Sequence, residues 1–134
     1  AKHWNRRGLT DLNEMLWGSM MLESSAGNIY FGADSGLGIH FEQIAQLFPC
    51  IDYAIIGIGA YKPEWFMHPS HTSPADALQV LQTLGARQLI LMHYGTFDLS
   101  DEPIFYPKQE MLRLQETHNI DNVLHLSIGG KHFV

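Results

Sequence analysis

Two ionisable residues stand just beyond apolar segments that read as buried strands: Asp34 after Ile29-Tyr30-Phe31-Gly32-Ala33, and His93 after Leu89-Ile90-Leu91-Met92. Strand ends that open into loops are where α/β proteins collect ligand-binding groups. Imidazole and carboxylate are side chains that hold zinc or iron, and a carboxylate has two oxygens with which to bridge two ions. Glycines flank both positions, Gly32, Gly36 and Gly38 near Asp34 and Gly95 beside His93, and they permit tight turns and close backbone approach. Taken singly, each residue has a plainer reading: Asp34 as the N-cap of the following helix, His93 as a hydrogen-bonded histidine at a strand end. Taken together they point to metal chemistry.

The elements that must position them alternate along the chain. Residues 16–22 and 29–32 read as the strands of a hairpin about an Ala26-Gly27-Asn28 turn. Ile39, Phe41, Ile44, Ala45, Leu47 and Phe48 recur at three- and four-residue steps, as in a helix covering a sheet, and Pro49 stops it. The nearly unbroken apolar runs 53–59 and 88–92 suit strands buried on both faces. Between them, a loop over 60–72 rich in aromatic residues and prolines leads to a helix capped by Ser73, opened by Pro74 and closed by Gly85. A helix over 107–118 and a short strand over 122–126 complete the chain. The expectation is one α/β unit, a mainly parallel sheet preceded by an antiparallel hairpin.

Composition excludes several classes. The 134 residues carry a formal net charge of −6, and the eight Lys and Arg are scattered apart from Lys2, Arg6 and Arg7, so no nucleic-acid footprint is present. No run reaches the roughly 18 apolar residues of a membrane span, and the first residues are not a signal peptide. The single cysteine, Cys50, is expected to be a buried, inert thiol. The chain does not begin with Met, which points to a start inside a longer protein, cytoplasmic or peripheral to a membrane.

Several segments carry a more specific resemblance. His3-Trp4-Asn5-Arg6-Arg7, Leu16-Trp17-Gly18-Ser19, Phe31-Gly32-Ala33-Asp34-Ser35-Gly36, Ile58 through Met67, His71 through Ala77, and Met92-His93-Tyr94-Gly95-Thr96-Phe97 resemble, in order and spacing, the second half of N-acyl-phosphatidylethanolamine-hydrolysing phospholipase D and its bacterial relatives. These are hydrolases of the metallo-β-lactamase fold. The resemblance runs from His3 to about Pro107. It implies that residues 1–134 are the carboxy-terminal half of an αββα sandwich, one mixed sheet with helices on one face. It further implies that His3 completes one metal's shell, that Asp34 bridges both metals and that His93 serves the second. His71 would face the substrate phosphate. Two zinc ions are implied for the complete domain, with iron or manganese as alternatives, and a lipid or related phosphodiester as substrate. Tyr61, Trp65 and Phe66 are candidates for substrate contact.

One departure limits this reading. The family's remaining ligands lie in a His-x-His-x-Asp-His motif in its first half, and these residues contain no such motif. Zinc takes about four ligands, and three split between two ions are too few. The chain alone is therefore expected to bind metal weakly and to lack turnover, and its apolar sheet to pair with the missing half or with a second copy. A lactonase or other esterase of the same fold remains open, as does a non-catalytic binding module. His40, His68, His118, His125 and His132 are read as non-catalytic.

Overall fold

An antiparallel hairpin leads into four parallel-linked strands in this computed structural model, which describes residues 1–6, 8–14 and 16–133. Arg7 of the basic cluster lies outside the described residues. The elements run β1 (Met20–Leu22), β2 (Ile29–Phe31), α1 (His40–Leu47), β3 (Tyr53–Gly57), α2 (Glu64–Met67), α3 (Pro74–Leu84), β4 (Gln88–Met92), α4 (Tyr106–His118) and β5 (Val123–Leu124). The strands form one mixed sheet in sequential order, with β1 antiparallel to β2 and every later pair parallel.

The strand alternation sets the layers. Met21, Tyr30, Ala54, Leu89 and Val123 align in one row across the sheet, and Ile56 pairs with Leu91 on the same face. All but Met21 are buried, against Phe41 of α1, Ala77, Val80, Leu81 and Leu84 of α3, and Met111 of α4. The opposite face carries a second row, Met20, Phe31, Ile55, Ile90 and Leu124, also in register. Here Met20 is 65% exposed and the other four are half-buried. The helices therefore cover one face, as expected.

Local signals explain the best-defined helix. Ser73 and Asp76 form a capping box, the Ser73 Oγ accepting from the Asp76 amide at 3.2 Å while the Asp76 Oδ2 accepts from the Ser73 amide at 2.8 Å. Pro74 occupies the first turn, where its missing N–H is harmless, and Gly85 closes the helix in the left-handed conformation at φ 60°. Helix α1 ends at Leu47 because Phe48, preceding Pro49, is barred from helical backbone.

Four expectations are corrected. The first strand is Met20–Leu22 rather than 16–22: Gly32 turns its amide to the Ile55 carbonyl and the chain then leaves the sheet, so nothing remains for residues before Met20 to pair with. The loop over 60–72 contains the one-turn helix α2, and Cys50 is exposed because it lies on the turn between α1 and β3, outside the packed face. The last strand shrinks to Val123–Leu124, the only β5 residues that pair with β4.

Candidate metal centre

Strands β2, β3 and β4 each run out into a non-glycine residue with left-handed backbone: Ala33 at φ 55°, Ala60 at φ 62° and His93 at φ 58°. Such conformations cost roughly 1–3 kcal/mol each and persist where surrounding packing enforces them. They turn the three loops sharply at the same edge of the sheet. Two glycines let those loops meet. A Cβ on Gly36 would fall 2.3 Å from the Pro69 carbonyl oxygen, and one on Gly59 would fall 2.2 Å from that of His93. Only glycine permits this approach, which lays the Asp34 loop against the His71 loop and seats His93 beside β3.

His3 reaches the same edge through its neighbour. The Lys2 amide donates to the Ser35 Oγ at 2.7 Å, the Gly36 amide donates to the Lys2 carbonyl at 2.8 Å, and the Lys2 ammonium donates to the Leu37 carbonyl at 3.0 Å. His71 is steadied by Thr72, whose buried hydroxyl donates to the Gly57 carbonyl at 2.7 Å.

Four side chains converge as a result. The His3 Nε2 and the His93 Nε2 stand 3.3 Å and 3.7 Å from the same Asp34 oxygen, Oδ2, and the His71 Nδ1 stands 2.8 Å from Oδ1. The His71 ring lies edge-on to His3 and stacked with His93, at centroid distances of 5.1 Å and 5.5 Å. Asp34 and His93 do not follow adjacent strands, since β3 lies between β2 and β4, yet their side chains meet across it. Asp34 is no helix cap: α1 begins six residues later, behind Ile39.

The protonation pattern fits a cation. The His3 Nδ1 lies 2.7 Å from the Trp4 carbonyl, which can only accept, so Nδ1 carries a proton and Nε2 is the ring nitrogen turned to the carboxylate. Nε2 and the Asp34 oxygen stand 3.3 Å apart, a spacing that suits a positive charge between them. The His71 Nδ1 is buried and stands 2.8 Å from the Asp34 carboxylate. Burial pushes the Asp34 carboxyl up, but the close His71 imidazole and the charges of His93 and His3 outweigh it and hold the group below its ordinary value. An ionised carboxylate with three imidazoles around it is a donor set that suits a divalent metal.

The remaining candidates divide. Trp65 is 81% exposed and packs on Phe66 at 5.5 Å, and Phe66 lines a hollow of about 450 Å³ shared with His3 and Trp4. Tyr61 is buried, its hydroxyl donating to Glu110 at 2.5 Å, so it packs beneath the loop instead of lining either hollow. A second cavity of about 340 Å³ opens beside His93, walled by Ala60, Phe97, Leu99 and Ile104 with Glu102 among them. Glu102 was not singled out in the sequence, where Asp101-Glu102-Pro103 looks like ordinary solvent-facing acid. Its buried carboxylate accepts from the amides of Ala60, Tyr61 and Lys62 at 2.6, 3.3 and 2.9 Å, tying the loop after β4 to the loop after β3. The other histidines lie elsewhere: His40 on Ser35, His68 on Asp76, His118 in the last turn of α4, His125 on Gln115 and His132 on Tyr53.

Fold and site together have the character of a metallo-hydrolase, a carboxylate ringed by imidazoles at the loop edge of a mixed sheet. The chain belongs to the metallo-β-lactamase superfamily: a family model described as the Beta-lactamase superfamily domain matches residues 1–94. It is 32% identical over 114 residues to N-acyl-phosphatidylethanolamine-hydrolyzing phospholipase D 1 of Caenorhabditis elegans, covering 84% of this chain and 32% of that protein. It is 36% identical over 119 residues to the mitochondrial N-acyl-phosphatidylethanolamine-hydrolyzing phospholipase D of Saccharomyces cerevisiae, covering 87% of this chain and 25% of the relative. Among solved structures, the metallo hydrolase Igni18 of Ignicoccus hospitalis superposes with a TM-score of 0.59 at 19% identity, over 87% of this chain and 44% of its own. The chain thus spans a quarter to a third of these two curated relatives.

Proposed function

We propose that this chain supplies one half of a binuclear metal centre in a hydrolase that cleaves a phosphodiester, of a lipid or a related molecule, in the manner of a phospholipase D. The observation that carries the reading is the approach of His3 and His93 to one oxygen of one carboxylate, as expected of a residue shared by two ions. His3 would serve one ion, His93 the other and Asp34 both, with zinc the first candidate and iron or manganese alternatives. The ions, when bound, supply the positive charge that activates water and stabilises negative charge developing on phosphorus-bound oxygens.

The chain's own residues take the other roles. The His71 ring, fixed by Thr72 and backed by Asp34 through Nδ1, leaves Nε2 to hold a proton for the departing alcohol. Trp65 and Phe66 form an apolar lip that would receive the hydrocarbon of a lipid substrate. The remaining ligands and the cover for the open apolar row of the sheet would come from the rest of the domain, or the row would pair with a second copy. Relatives named for hydrolysis of N-acyl-phosphatidylethanolamine support the substrate class.

The test is a substrate panel on the domain that contains this chain together with its missing half. Turnover of a phosphodiester that is abolished by a chelator and by Asp34→Ala, and lowered at least about 100-fold in kcat by His71→Ala, is expected. Turnover of lactones or carboxylic esters with no phosphodiester cleavage would replace this reading with the esterase one.

A further inference from the structure

We propose that Glu102 is a positioning residue for substrate, a buried clamp that locks the loop leaving β3 onto the loop leaving β4 and so fixes where the Trp65–Phe66 lip stands. The proposal rests on the reading above for the lip and its hydrocarbon ligand, and adds the residue that governs them.

The clamp is an acid whose oxygens are turned to backbone. Glu102 is 4% exposed, and burying a carboxylate costs heavily unless hydrogen bonds replace its water. Here Oε1 accepts from the Ala60 amide at 2.6 Å and the Tyr61 amide at 3.3 Å, and Oε2 accepts from the Lys62 amide at 2.9 Å. The Asp101 amide donates in turn to the Lys62 carbonyl at 3.2 Å. Hydrogen bonds to an ionised acceptor are roughly twice as strong as neutral ones, so these are firm ties between two loops far apart in sequence.

The lip depends on them. Helix α2, which carries Trp65 and Phe66, begins at Glu64, just beyond Lys62. Its far end is held by His68, whose Nε2 stands 2.6 Å from the Asp76 Oδ2. Between these anchors no residue of α2 is buried, and Trp65 and Phe66 are exposed, so the ends of the helix decide its position. The same clamp holds Ala60 in the wall of the cavity beside His93. The side chains of the reacting centre are held by other means: Thr72 bonds the Gly57 carbonyl, the Gly36 loop packs on Pro69, and the Ile58 amide donates to the Met92 carbonyl at 3.1 Å. Loosening the clamp should therefore weaken binding of hydrocarbon and spare the chemical step, a rise in KM with kcat unchanged.

Hydrogen exchange in the 134-residue chain reads the clamp, and kinetics of the complete domain on a long-chain and a short, water-soluble phosphodiester read its consequence. Glu102→Ala should speed exchange at the Ala60, Tyr61 and Lys62 amides at least about 10-fold, as loss of hydrogen bonds to a charged group does. Glu102→Gln keeps one oxygen for Ala60 and Tyr61 but turns an NH2 group toward the Lys62 N–H, so its increase should concentrate at Lys62. This nearly isosteric variant also carries the test if the alanine variant does not fold. In the complete domain both variants should raise KM for the long-chain substrate at least about 5-fold, while kcat and the KM of the short substrate stay within about 2-fold. Leu89→Ala, a core variant that lowers stability elsewhere, should leave both KM values unchanged. Unaltered exchange at the three amides, a fall in kcat with KM unchanged, equal KM rises for long and short substrates, or the same rises in Leu89→Ala would overturn the proposal. If the substrate panel returns an ester in place of a phosphodiester, the comparison of long with short chains on that ester still decides the role of Glu102, so the two readings fail separately.

Discussion

The two faces of the sheet carry rows of the same kind of residue and meet opposite fates. On one, Tyr30, Ala54, Leu89 and Val123 are 0, 0, 0 and 6% exposed beneath α1, α3 and α4. On the other, Phe31, Ile55, Ile90 and Leu124 are in the same register but only half-buried, with Met20 and Leu22 beyond them at 65% and 61%. Apolar residues on both faces of a parallel sheet call for cover on both faces. This difference marks the open row as the face that a partner would cover, and burying it would contribute roughly 25 cal/mol per Å².

The contrast can be broken by paired substitutions. Leu89→Ala removes a fully buried side chain and should destabilise the chain by about 2–5 kcal/mol, whereas its neighbour Ile90→Ala, on the open face, should cost about 1 kcal/mol or less in the uncovered state. Urea midpoints of the two variants measure this, and equal losses would mean that both faces are packed. Next in size is association. Ile55→Lys places a charge in the middle of the open row, and should abolish self-association or binding of the missing half in sedimentation experiments while leaving the helix content unchanged. If wild type sediments as a compact monomer that binds no apolar dye, the open face needs no partner.

A smaller effect sharpens the account of the loop edge. Burial, then the positive charges of the amino terminus and Lys2, lower the His40 pKa to about 4 from an unperturbed value near about 6.5. Between those values the unfolded chain binds the extra proton and the folded chain does not, so stability falls as pH drops from about 6.5 toward 4. His40→Gln, which keeps an acceptor near the Ser35 hydroxyl, should flatten the pH dependence of the melting temperature over that window. An unchanged profile would assign the acid sensitivity to other groups.

Much of this arrangement was legible in the sequence wherever a local rule decided the outcome. The capping box at Ser73, the stop at Pro49 and the left-handed Gly85 are encoded within a few residues, so α1 and α3 follow from the chain alone. The apolar runs fixed β3 and β4 for the same reason, and the resemblance picked out His3, Asp34, His71 and His93, which the fold then brought together. What escaped depends on partners distant in sequence. Tyr61 looked like a loop aromatic facing substrate, and Glu110, 49 residues later, takes its hydroxyl. Glu102 clamps three amides about 40 residues earlier, which no local pattern announces. The left-handed backbone of Ala33, Ala60 and His93 is likewise imposed by tertiary packing against residue preference.

The most direct test of the central claim compares the chain alone with the chain paired with a separately produced first half carrying the His-x-His-x-Asp-His motif. With zinc present, chelator-sensitive cleavage of a phosphodiester should appear only in the mixture and vanish when the chain carries Asp34→Ala. Turnover by the 134-residue chain alone, lost on chelation and in the same variant, would contradict the assignment of this chain as half of the catalytic centre.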